Sequence, residues 1–329
     1  MLNNFISVII PAYNAEKTIQ ETIESVLNQT FTNFELIIIN SDSTDATLSI
    51  VSQIKDERLK GFSYPKANVA VNRNRGFKHA NGDYITFLDA DDLWTDDKLT
   101  AQYTALQSNP QAAVAYSWTN CIDKNGKFLR KTSHVNWSGD VYSKFLLDDF
   151  IGNGSNVMIR RELLTEVGGF DEILTNAQDT DMWLKLAAIT DFYCVPKAQV
   201  LYRILPNSMS SNVLGLEKSN LEVIQRSFAR EKAKTLQHLK PIAIANLYKY
   251  LCYKALTAPP GKQQSAVAAR FLLTAIKTDI SLLFKPIIFK AILKLTAMVV
   301  LPANWASKIF QKLPHLSNTS TFLGYEKTT

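Results

Sequence analysis

The sequence predicts an α/β fold in which a mainly parallel sheet flanked by helices is followed by an α-helical C-terminal region. In the first half, short β-rich runs alternate with segments whose apolar residues recur at helical spacing. Strands that alternate with amphipathic helices form parallel sheets that are covered on both faces. After about Leu214 only helical patterns occur, rich in Lys, Ala and Leu. We therefore expect two domains, residues 1–213 and residues 214–329.

Each element of the first domain has its own local signal. The predicted strands are β-rich apolar runs: Phe5–Ile10, Phe34–Ile39, Leu59–Ser63, Tyr84–Leu88 and Ala112–Trp118. The predicted helices are Ala15–Gln29, a segment capped by Ser43 or Thr44 that carries Leu48, Val51 and Ile54, then Asn68–Ala80 and Thr95–Gln107. Asp123-Lys-Asn-Gly126 has hairpin-turn chemistry. Farther on, Met182, Leu186 and Ile189 share one face of another helix.

Composition and charge exclude several classes of protein. The chain has 329 residues, 46% hydrophobic and 20% charged, which excludes a disordered, collagen-like or disulfide-stapled protein. Cys121, Cys194 and Cys252 are far apart and form no C-x-x-C, which indicates reduced thiols in a cytosolic protein. The first apolar run is too short for a signal peptide, and no run of about 18 uncharged apolar residues predicts a membrane span.

The polar segments that follow the strands ending near Ile10, Ile39 and Leu88 should meet, because ligands bind at the carboxyl ends of parallel strands. The last of these segments holds Asp89, Asp91 and Asp92. Three clustered carboxylates repel one another unless a positive charge neutralises them, and a divalent cation that bridges two phosphates is a natural partner. Helix capping by one Asp is the alternative interpretation.

A second acidic segment, Gln178-Asp179-Thr-Asp181, begins the helix that carries Met182. Asp179 lies in the first turn of this helix, where a carboxylate stabilises the helix dipole. Capping and catalysis both remain open for Asp179 on these residues alone.

Taken in order, six segments over roughly residues 5–211 resemble the family 2 glycosyltransferases with the Rossmann-like GT-A fold. They are Ser7–Asn14, Ile19–Phe31, Arg73-Asn-Arg-Gly76, Asn81–Asp92 with its D-x-D, Arg160–Glu172, and Gln178-Asp179 in place of a Glu-Asp pair. Each segment alone is a weak signal, and their order and spacing make the resemblance specific.

The resemblance implies an inverting transferase that moves a sugar from a nucleotide-diphosphate donor, a UDP-sugar, to a hydroxyl of a glycan or lipid-linked acceptor. The implied nucleotide-sugar-binding residues are Pro11, Ala12, Tyr13, Glu16, Ser41, Arg73, Asp89 and Ala90. Asp91, with Asp89, would bind a divalent cation, Mg²⁺ or Mn²⁺, and Asp179 would be the general base. The residues expected to shape the site or contact the acceptor are Asp92, Gln178, Asp181, Trp183 and Arg203.

Three departures from the family pattern concern specificity. Asn40-Ser41-Asp42-Ser43 replaces Asp-Asp-Gly-Ser or Asn-Asp-Gly-Ser, so the carboxylate expected to recognise the base has become Ser41 and the turn Gly has become Asp42. Gln178 replaces the Glu of the catalytic pair, and Leu205, within Tyr202–Ser210, stands where a His is common. These changes put the identity of the donor's nucleobase in question more than the catalytic reaction.

Two other classes of function compete with this one. An inactive relative that binds nucleotide sugar or serves as an assembly subunit is favoured by Ser41 and Gln178, and disfavoured by the intact Asp89, Asp91 and Asp179. A nucleotidyltransferase would need a Gly-rich phosphate loop after the first strand. A dinucleotide dehydrogenase would need G-x-G-x-x-G there, and this chain has neither.

The C-terminal region is strongly basic. From Arg226 to the end there are 16 basic and 3 acidic residues, a net charge of +13, whereas residues 1–225 carry a net charge of −7. Within Ser281–Pro302 a helical wheel sets Lys290 and Lys294 against an apolar face of Ile288, Ile292, Leu295 and Val299. This pattern predicts attachment to an anionic membrane surface, with the protein on the inner face of the cytoplasmic membrane. Packing of these helices on the catalytic domain is the alternative, and no nucleic-acid-binding motif accompanies the charge.

Overall fold

The computed structural model describes residues 4–205, 212–257, 261–312 and 319. Residues 206–211, within the predicted Tyr202–Ser210 segment, lie outside this part. The described chain divides into two compact units. The first consists of the described residues as far as Phe145 together with Asp149–Leu205, and the second of Leu146–Asp148 with the described residues after Leu205. The domain limits at 213 and 214 stay a prediction.

One mixed sheet forms the centre of the first unit. Within the described residues its nine strands are β1 (Ile6–Ala12), β2 (Phe34–Asn40), β3 (Leu59–Ser63), β4 (Tyr84–Phe87), β5 (Leu93–Trp94), β6 (Ala112–Ile122), β7 (Phe128–Lys131), β8 (Met158–Arg160) and β9 (Asp191–Arg203). Their spatial order is β3-β2-β1-β4-β8-β6-β9-β5, with β7 beside β6. All strands except β5, β7 and β8 share one direction. The prediction of a mainly parallel sheet is confirmed.

Helices flank this sheet as expected. They are α1 (Ile19–Leu27), α2 (Thr47–Gln53), α3 (Val69–His79), α4 (Lys98–Ser108), α5 (Tyr142–Leu147), α6 (Arg161–Glu166) and α7 (Gln178–Ala187). All residues of β1 and β2 are buried, because both faces of these strands are covered. The buried face of α1, which includes Ile19, Ile23 and Val26, packs in the same core as Ile10 and Ile38.

Two local predictions in this unit are wrong. Neither Ser43 nor Thr44 caps α2: the side chain of Asp45 accepts the hydrogen bond of the Thr47 amide, at 3.0 Å, and Ser43 instead accepts one from the backbone of the preceding loop. Ile189 lies beyond the end of α7 and is exposed, because the helix stops at Ala187. The hairpin turn is confirmed: Gly126 has a φ of 80°, and its amide donates to the Asp123 carbonyl at 3.0 Å.

All the secondary-structure elements among the described residues after Leu205 are helices, as predicted. They are α8 (Val213–Phe228), a 3₁₀ helix (Glu231–Leu239), α9 (Lys240–Thr257), α10 (Lys262–Thr278), a 3₁₀ helix (Ile280–Phe284), α11 (Pro286–Val300) and α12 (Ala303–Lys312). The core of the second unit includes Leu251, Phe271, Ala275, Ala291 and Met298. Among the described residues, no helix is long and apolar enough to cross a membrane.

The predicted division of α11 into one apolar and one lysine face is wrong. Ile288 and Leu295 are buried in the core of the unit, whereas Ile292 and Val299 are exposed. Lys294 is buried, with its ammonium 5.2 Å from the centroid of an aromatic ring of α12. The reason is that α11 is apolar on two sides, so its core-facing residues follow the packing of the neighbouring helices and not the position of the lysines.

Candidate active site

The site lies at the carboxyl ends of three adjacent parallel strands. β1 is paired in parallel with β2 on one side and β4 on the other, with Ala12 opposite Asn40 and Ile9 opposite Phe87. The polar segments that follow these strands therefore leave the same edge of the sheet, which confirms the predicted convergence.

The loop after β1 is tied to the loop after β2. The Asn14 amide donates to Ser43 Oγ at 3.0 Å, and Glu16 Oε2 accepts from the Ala46 amide at 3.1 Å. Asn14 and Asp42 have positive φ values of 47° and 58°, a conformation that Asn and Asp tolerate better than most residues. Asp42 thus adopts a left-handed conformation at the position where the family has Gly.

The predicted donor-binding residues in and just after β1 and β2 differ in their solvent exposure. Pro11 and Ala12 are buried within β1, and Ser41 is fully buried, with its hydroxyl accepting from the Ala67 amide at 3.0 Å. Tyr13 is exposed, and Lys66 Nζ lies 2.7 Å from its hydroxyl and 4.2 Å from its ring centroid. Tyr13 thus exposes an aromatic ring in the loop after β1; the donor-binding roles of these residues stay predictions.

Asp92 anchors the acidic segment that follows β4. Its buried carboxylate accepts from Ser155 Oγ at 2.6 Å and from the Arg203 amide at 2.9 Å. Ser155 Oγ also accepts from the Asp89 amide at 3.0 Å. Burial, together with the charges of Asp91 and Asp89, raises the pKa of Asp92 well above its usual range. Asp92 therefore holds the loop by its hydrogen bonds.

Arg203, expected to shape the site, fixes the backbone of the same loop. Its buried guanidinium donates from Nε to the Asp91 carbonyl at 2.8 Å and from Nη2 to Glu21 Oε2 at 2.8 Å. The Ala90 carbonyl accepts from Thr18 Oγ1 at 2.8 Å. These bonds to β9 and to the start of α1 keep the loop in one conformation.

Asp91 forms no salt bridge with any described residue, and the Arg203 side chain pairs with Glu21. Burial, followed by the charge of Asp89, raises the pKa of Asp91 to about 6, and the charge of Arg203 opposes this. No cluster of three or more His, Cys, Asp and Glu side chains that could hold a metal occurs in the described part of the chain. A cation held by one or two carboxylates and by phosphate oxygens needs no such cluster, so Asp91 and Asp89 fit that kind of site.

Arg73 joins the two acidic segments. Its buried guanidinium donates from Nη2 to Asp89 Oδ1 at 2.7 Å and from Nη1 to Asp179 Oδ1. Its Cζ lies 5.1 Å from the centroid of the Phe170 ring. Gly154 makes this position possible, because a Cβ at residue 154 would lie 2.0 Å from Arg73 Nη2.

Asp179 is in the first turn of α7, as predicted, and its side chain is 25% exposed. Burial raises its pKa to about 6; the negative charges of Asp89 and Asp149 add to this, and Arg73 opposes it. Arg73 occupies Oδ1, and no described residue donates to Oδ2. One oxygen of this carboxylate is thus left to accept a proton.

The other predicted residues of α7 point into the protein. Gln178, Asp181 and Trp183 are buried. Asp181 Oδ2 lies 2.6 Å from Lys185 Nζ one turn later, and the Trp183 ring packs edge to face with Phe170, with 6.4 Å between centroids. Their predicted roles in shaping the site or contacting the acceptor stay predictions.

In the Arg73-Asn-Arg-Gly76 segment, Asn74 and Gly76 each have a structural role of their own. The Asn74 side chain donates to the Phe170 carbonyl and accepts from the Phe170 amide, both at 2.9 Å. At Gly76 a Cβ would lie 2.2 Å from Ile9 Cγ2, so α3 approaches β1 closely only because this residue is Gly.

Sequence reasoning missed Ser155, Gly154, Lys66 and Asp149 as parts of the site. Asp149 Oδ2 accepts from Thr180 Oγ1 at 2.7 Å, beside Asp179. The Gly and Ser residues of the Gly152–Asn156 segment, just before a buried strand, were the available signal for Gly154 and Ser155. No motif marked Lys66.

Comparisons with known proteins identify relatives of this chain. The glucosyltransferase WfgD of Escherichia coli, named UDP-Glc:alpha-D-GlcNAc-diphosphoundecaprenol beta-1,3-glucosyltransferase, is 32% identical over 213 residues, which cover 63% of this chain and 80% of that protein. The mannosyltransferase PcManGT of Pyrobaculum calidifontis, in complex with GDP-Man and Mn²⁺, has a TM-score of 0.57 at 20% identity, covering 98% of this chain and 87% of that one. S. aureus TarS 1–349 in complex with UDP-GlcNAc has a TM-score of 0.55 at 18% identity, covering 97% of this chain and 90% of that one.

The two solved structures show the fold, and the predicted GT-A architecture is confirmed. The model of the family described as "Glycosyltransferase like family 2" matches residues 7–255, which is most of the chain. The chain therefore belongs to this family and is a glycosyltransferase.

Proposed function

We propose that this glycosyltransferase inverts the configuration at the anomeric carbon, with a UDP-sugar as donor and Asp179 as general base. The observation that carries the proposal is the buried guanidinium of Arg73, which binds Asp89 through one terminal nitrogen and Asp179 through the other. We call this double ion pair the Arg73 fork. It fixes a proton acceptor beside the acidic segment that would face the donor diphosphate.

The reaction is a single displacement. The acceptor hydroxyl oxygen attacks the anomeric carbon, its proton moves to Asp179 Oδ2, and the bond from that carbon to the diphosphate oxygen breaks, with the electron pair leaving on UDP. Sugar hydroxyls are weak nucleophiles until a positioned base takes their proton, and a base is most useful when its pKa lies near the working pH. A pKa of about 6 keeps Asp179 ionised at neutral pH.

Asp91, assisted by Asp89, would hold Mg²⁺ or Mn²⁺ against the donor diphosphate. A bound cation supplies neutralisation of the negative charge that grows on the leaving diphosphate. Arg203 and Asp92 position the Asp89–Asp91 backbone for this role through their hydrogen bonds.

The relatives guide the choice of substrates. The name of WfgD specifies a UDP-Glc donor and an acceptor on diphosphoundecaprenol. For this chain we propose a UDP-sugar donor, and as acceptor a hydroxyl of a surface glycan or of a lipid-linked sugar at the inner face of the cytoplasmic membrane.

The test is transfer with UDP-glucose and UDP-GlcNAc in the presence of Mn²⁺, followed by UDP release and by NMR of the product's anomeric proton. Asp179→Asn should keep donor binding by calorimetry and lose about 10²–10⁴ in rate. Asp97→Asn, which changes a carboxylate paired with Lys197, is the matched control and should leave the rate unchanged.

Three outcomes would contradict the proposal. Near wild-type transfer by Asp179→Asn would place the base elsewhere. Equal donor affinity with and without chelator would show that donor binding does not need a divalent cation. Donor binding by the wild type without any UDP release would favour the catalytically impaired assembly subunit.

A further inference from the structure

The second unit carries an apolar surface that its own core does not use. On α11 the residues at positions 289, 292, 293, 296, 299 and 300 are exposed, and all but Thr296 are apolar. Phe289 is 70% exposed and Val300 71% exposed. We call this set the outer face of α11: Phe289, Ile292, Leu293, Thr296, Val299 and Val300.

The outer face is one continuous side of the helix. Its positions recur at intervals of three and four residues, so they lie above one another along the helix axis. The opposite side, which includes Ile288, Ala291 and Leu295, is buried in the core of the unit. Soluble proteins seldom leave such a run of large apolar side chains in contact with water unless it binds something.

Exposed aromatic residues lie just beyond both ends of α11. Phe284, just before the helix, is 85% exposed, and Trp305, just after it, is 67% exposed. Aromatic rings at the ends of an apolar segment are typical of the boundary between lipid and water.

The charged residues of the segment that contains the outer face are all lysines. Residues 280–312 contain five Lys and no Asp or Glu, and Asp279, just before this segment, is paired with Lys249. Lys285, Lys308 and Lys312 are exposed, and Lys290 is partly exposed. An apolar strip within a lysine-rich segment is complementary to anionic lipid headgroups above acyl chains.

We propose that the outer face of α11 docks the protein onto an anionic lipid bilayer. α11 has 15 residues, fewer than the about 20 that a membrane-spanning helix needs, so it lies in the plane of the surface with its outer face inserted. The lysines contact the headgroups. This inference deepens the proposed function, since it supplies the surface on which a lipid-linked acceptor is met, and vesicle binding can be measured without donor or acceptor.

The test is flotation of the full chain with vesicles of equal parts phosphatidylglycerol and phosphatidylcholine, at low and high salt. The wild type should float with these vesicles at low salt, and less well at high salt or with vesicles of phosphatidylcholine alone. Phe289→Glu with Leu293→Glu should reduce the vesicle-bound fraction at least about tenfold, because it places charge in the inserted face. Phe289→Ser with Leu293→Ser removes apolar area without adding charge and should also weaken binding.

The matched control is Phe128→Glu with Leu129→Glu, which makes the same chemical change at two exposed residues of β7 and should float as the wild type does. Equal flotation of the α11 and control variants would overturn the proposal. A second result would also overturn it: the wild type does not float, light scattering gives it the mass of an oligomer, and the α11 variants are monomers. A second copy of the chain would then cover the outer face. Transfer to a soluble acceptor by the α11 variants separates this result from a failure of the proposed activity.

Discussion

Arg73 Nη2 lies 2.7 Å from Asp89 Oδ1, and the other terminal nitrogen of the same guanidinium pairs with Asp179. Two carboxylates that are 90 positions apart in the sequence are thus held by one planar, buried group. A guanidinium can bind two carboxylates at once in a fixed geometry, which an ammonium group cannot. The relative placement of the donor side and the base therefore depends on Arg73.

Arg73→Lys should lower kcat about 10²-fold, because a lysine pairs with only one of the two carboxylates and lets the other move. The measurement is steady-state transfer at saturating donor and acceptor. Arg75→Lys is the control on the same helix, since Arg75 contacts Pro65 and Asn72 away from the two carboxylates. A similar loss in both variants would show that α3, and not the fork, had been disturbed.

Gly154→Ala should lower kcat by up to about 10²-fold with the fold intact, because the added Cβ would lie 2.0 Å from Arg73 Nη2 and must displace the guanidinium. A double-mutant cycle with Arg73→Ala gives the decisive measurement. In the Arg73→Ala background, Gly154→Ala should cost no further activity, since its target is gone. Additive losses would mean that Gly154 acts through some other contact.

Gly76→Ala should destabilise the protein by about 1–3 kcal/mol, because the new methyl group would overpack the contact between α3 and β1 at Ile9. The free energy of unfolding is measured by urea denaturation. Gly61→Ala is the matched control on β3, where the nearest atom, Val51 Cγ1, would be 3.9 Å from the Cβ. Equal stability of the two variants would contradict the close packing of α3 on β1.

Most of the fold was predictable because its signals are local. β2 and β3 end within one residue of their predicted limits, since apolar runs bounded by turn residues specify buried strands. The α2 cap was not predictable in detail: Ser43, Thr44 and Asp45 are all good capping residues, and the loop after β1 recruits Ser43. A competition between neighbouring hydrogen-bonding residues is settled by tertiary contacts.

The site was predictable as a set of acidic segments but not as a network. Asp89, Asp91 and Asp179 follow from their motifs. Gly154 packs against Arg73, and Ser155 bonds to the Asp89 amide, from a loop more than 20 residues from any of these acids and without a spacing rule. α11 shows a related limit. A helical wheel reveals two apolar sides, but only packing decides that Leu295 is buried and Leu293 exposed.

The rate of transfer should rise with pH through a pKa near 6. Asp179 must be ionised to accept a proton, and its pKa lies above the usual carboxyl value because it is buried near Asp89 and Asp149, an effect that Arg73 only partly offsets. Below pH 6 the carboxyl group is protonated, and kcat/KM should fall about tenfold for each further pH unit. The measurement is kcat/KM for the acceptor across pH 5–8 at saturating donor. A profile without this acidic limb would remove Asp179 as the base.

Asp149→Asn tests the cause of this pKa. Asp149 Oδ1 accepts from the Gly152 amide at 2.9 Å, a bond that an Asn oxygen can keep, so the change removes a negative charge beside Asp179 with little loss of structure. Without that charge the ionised form of Asp179 is less disfavoured, and the acidic limb should move to lower pH. Asp56→Asn, which removes a carboxylate paired with Arg58, is the charge-matched control and should leave the limb in place. A shift in the opposite direction, or the same shift in both variants, would mean that the limb does not report the local field at Asp179.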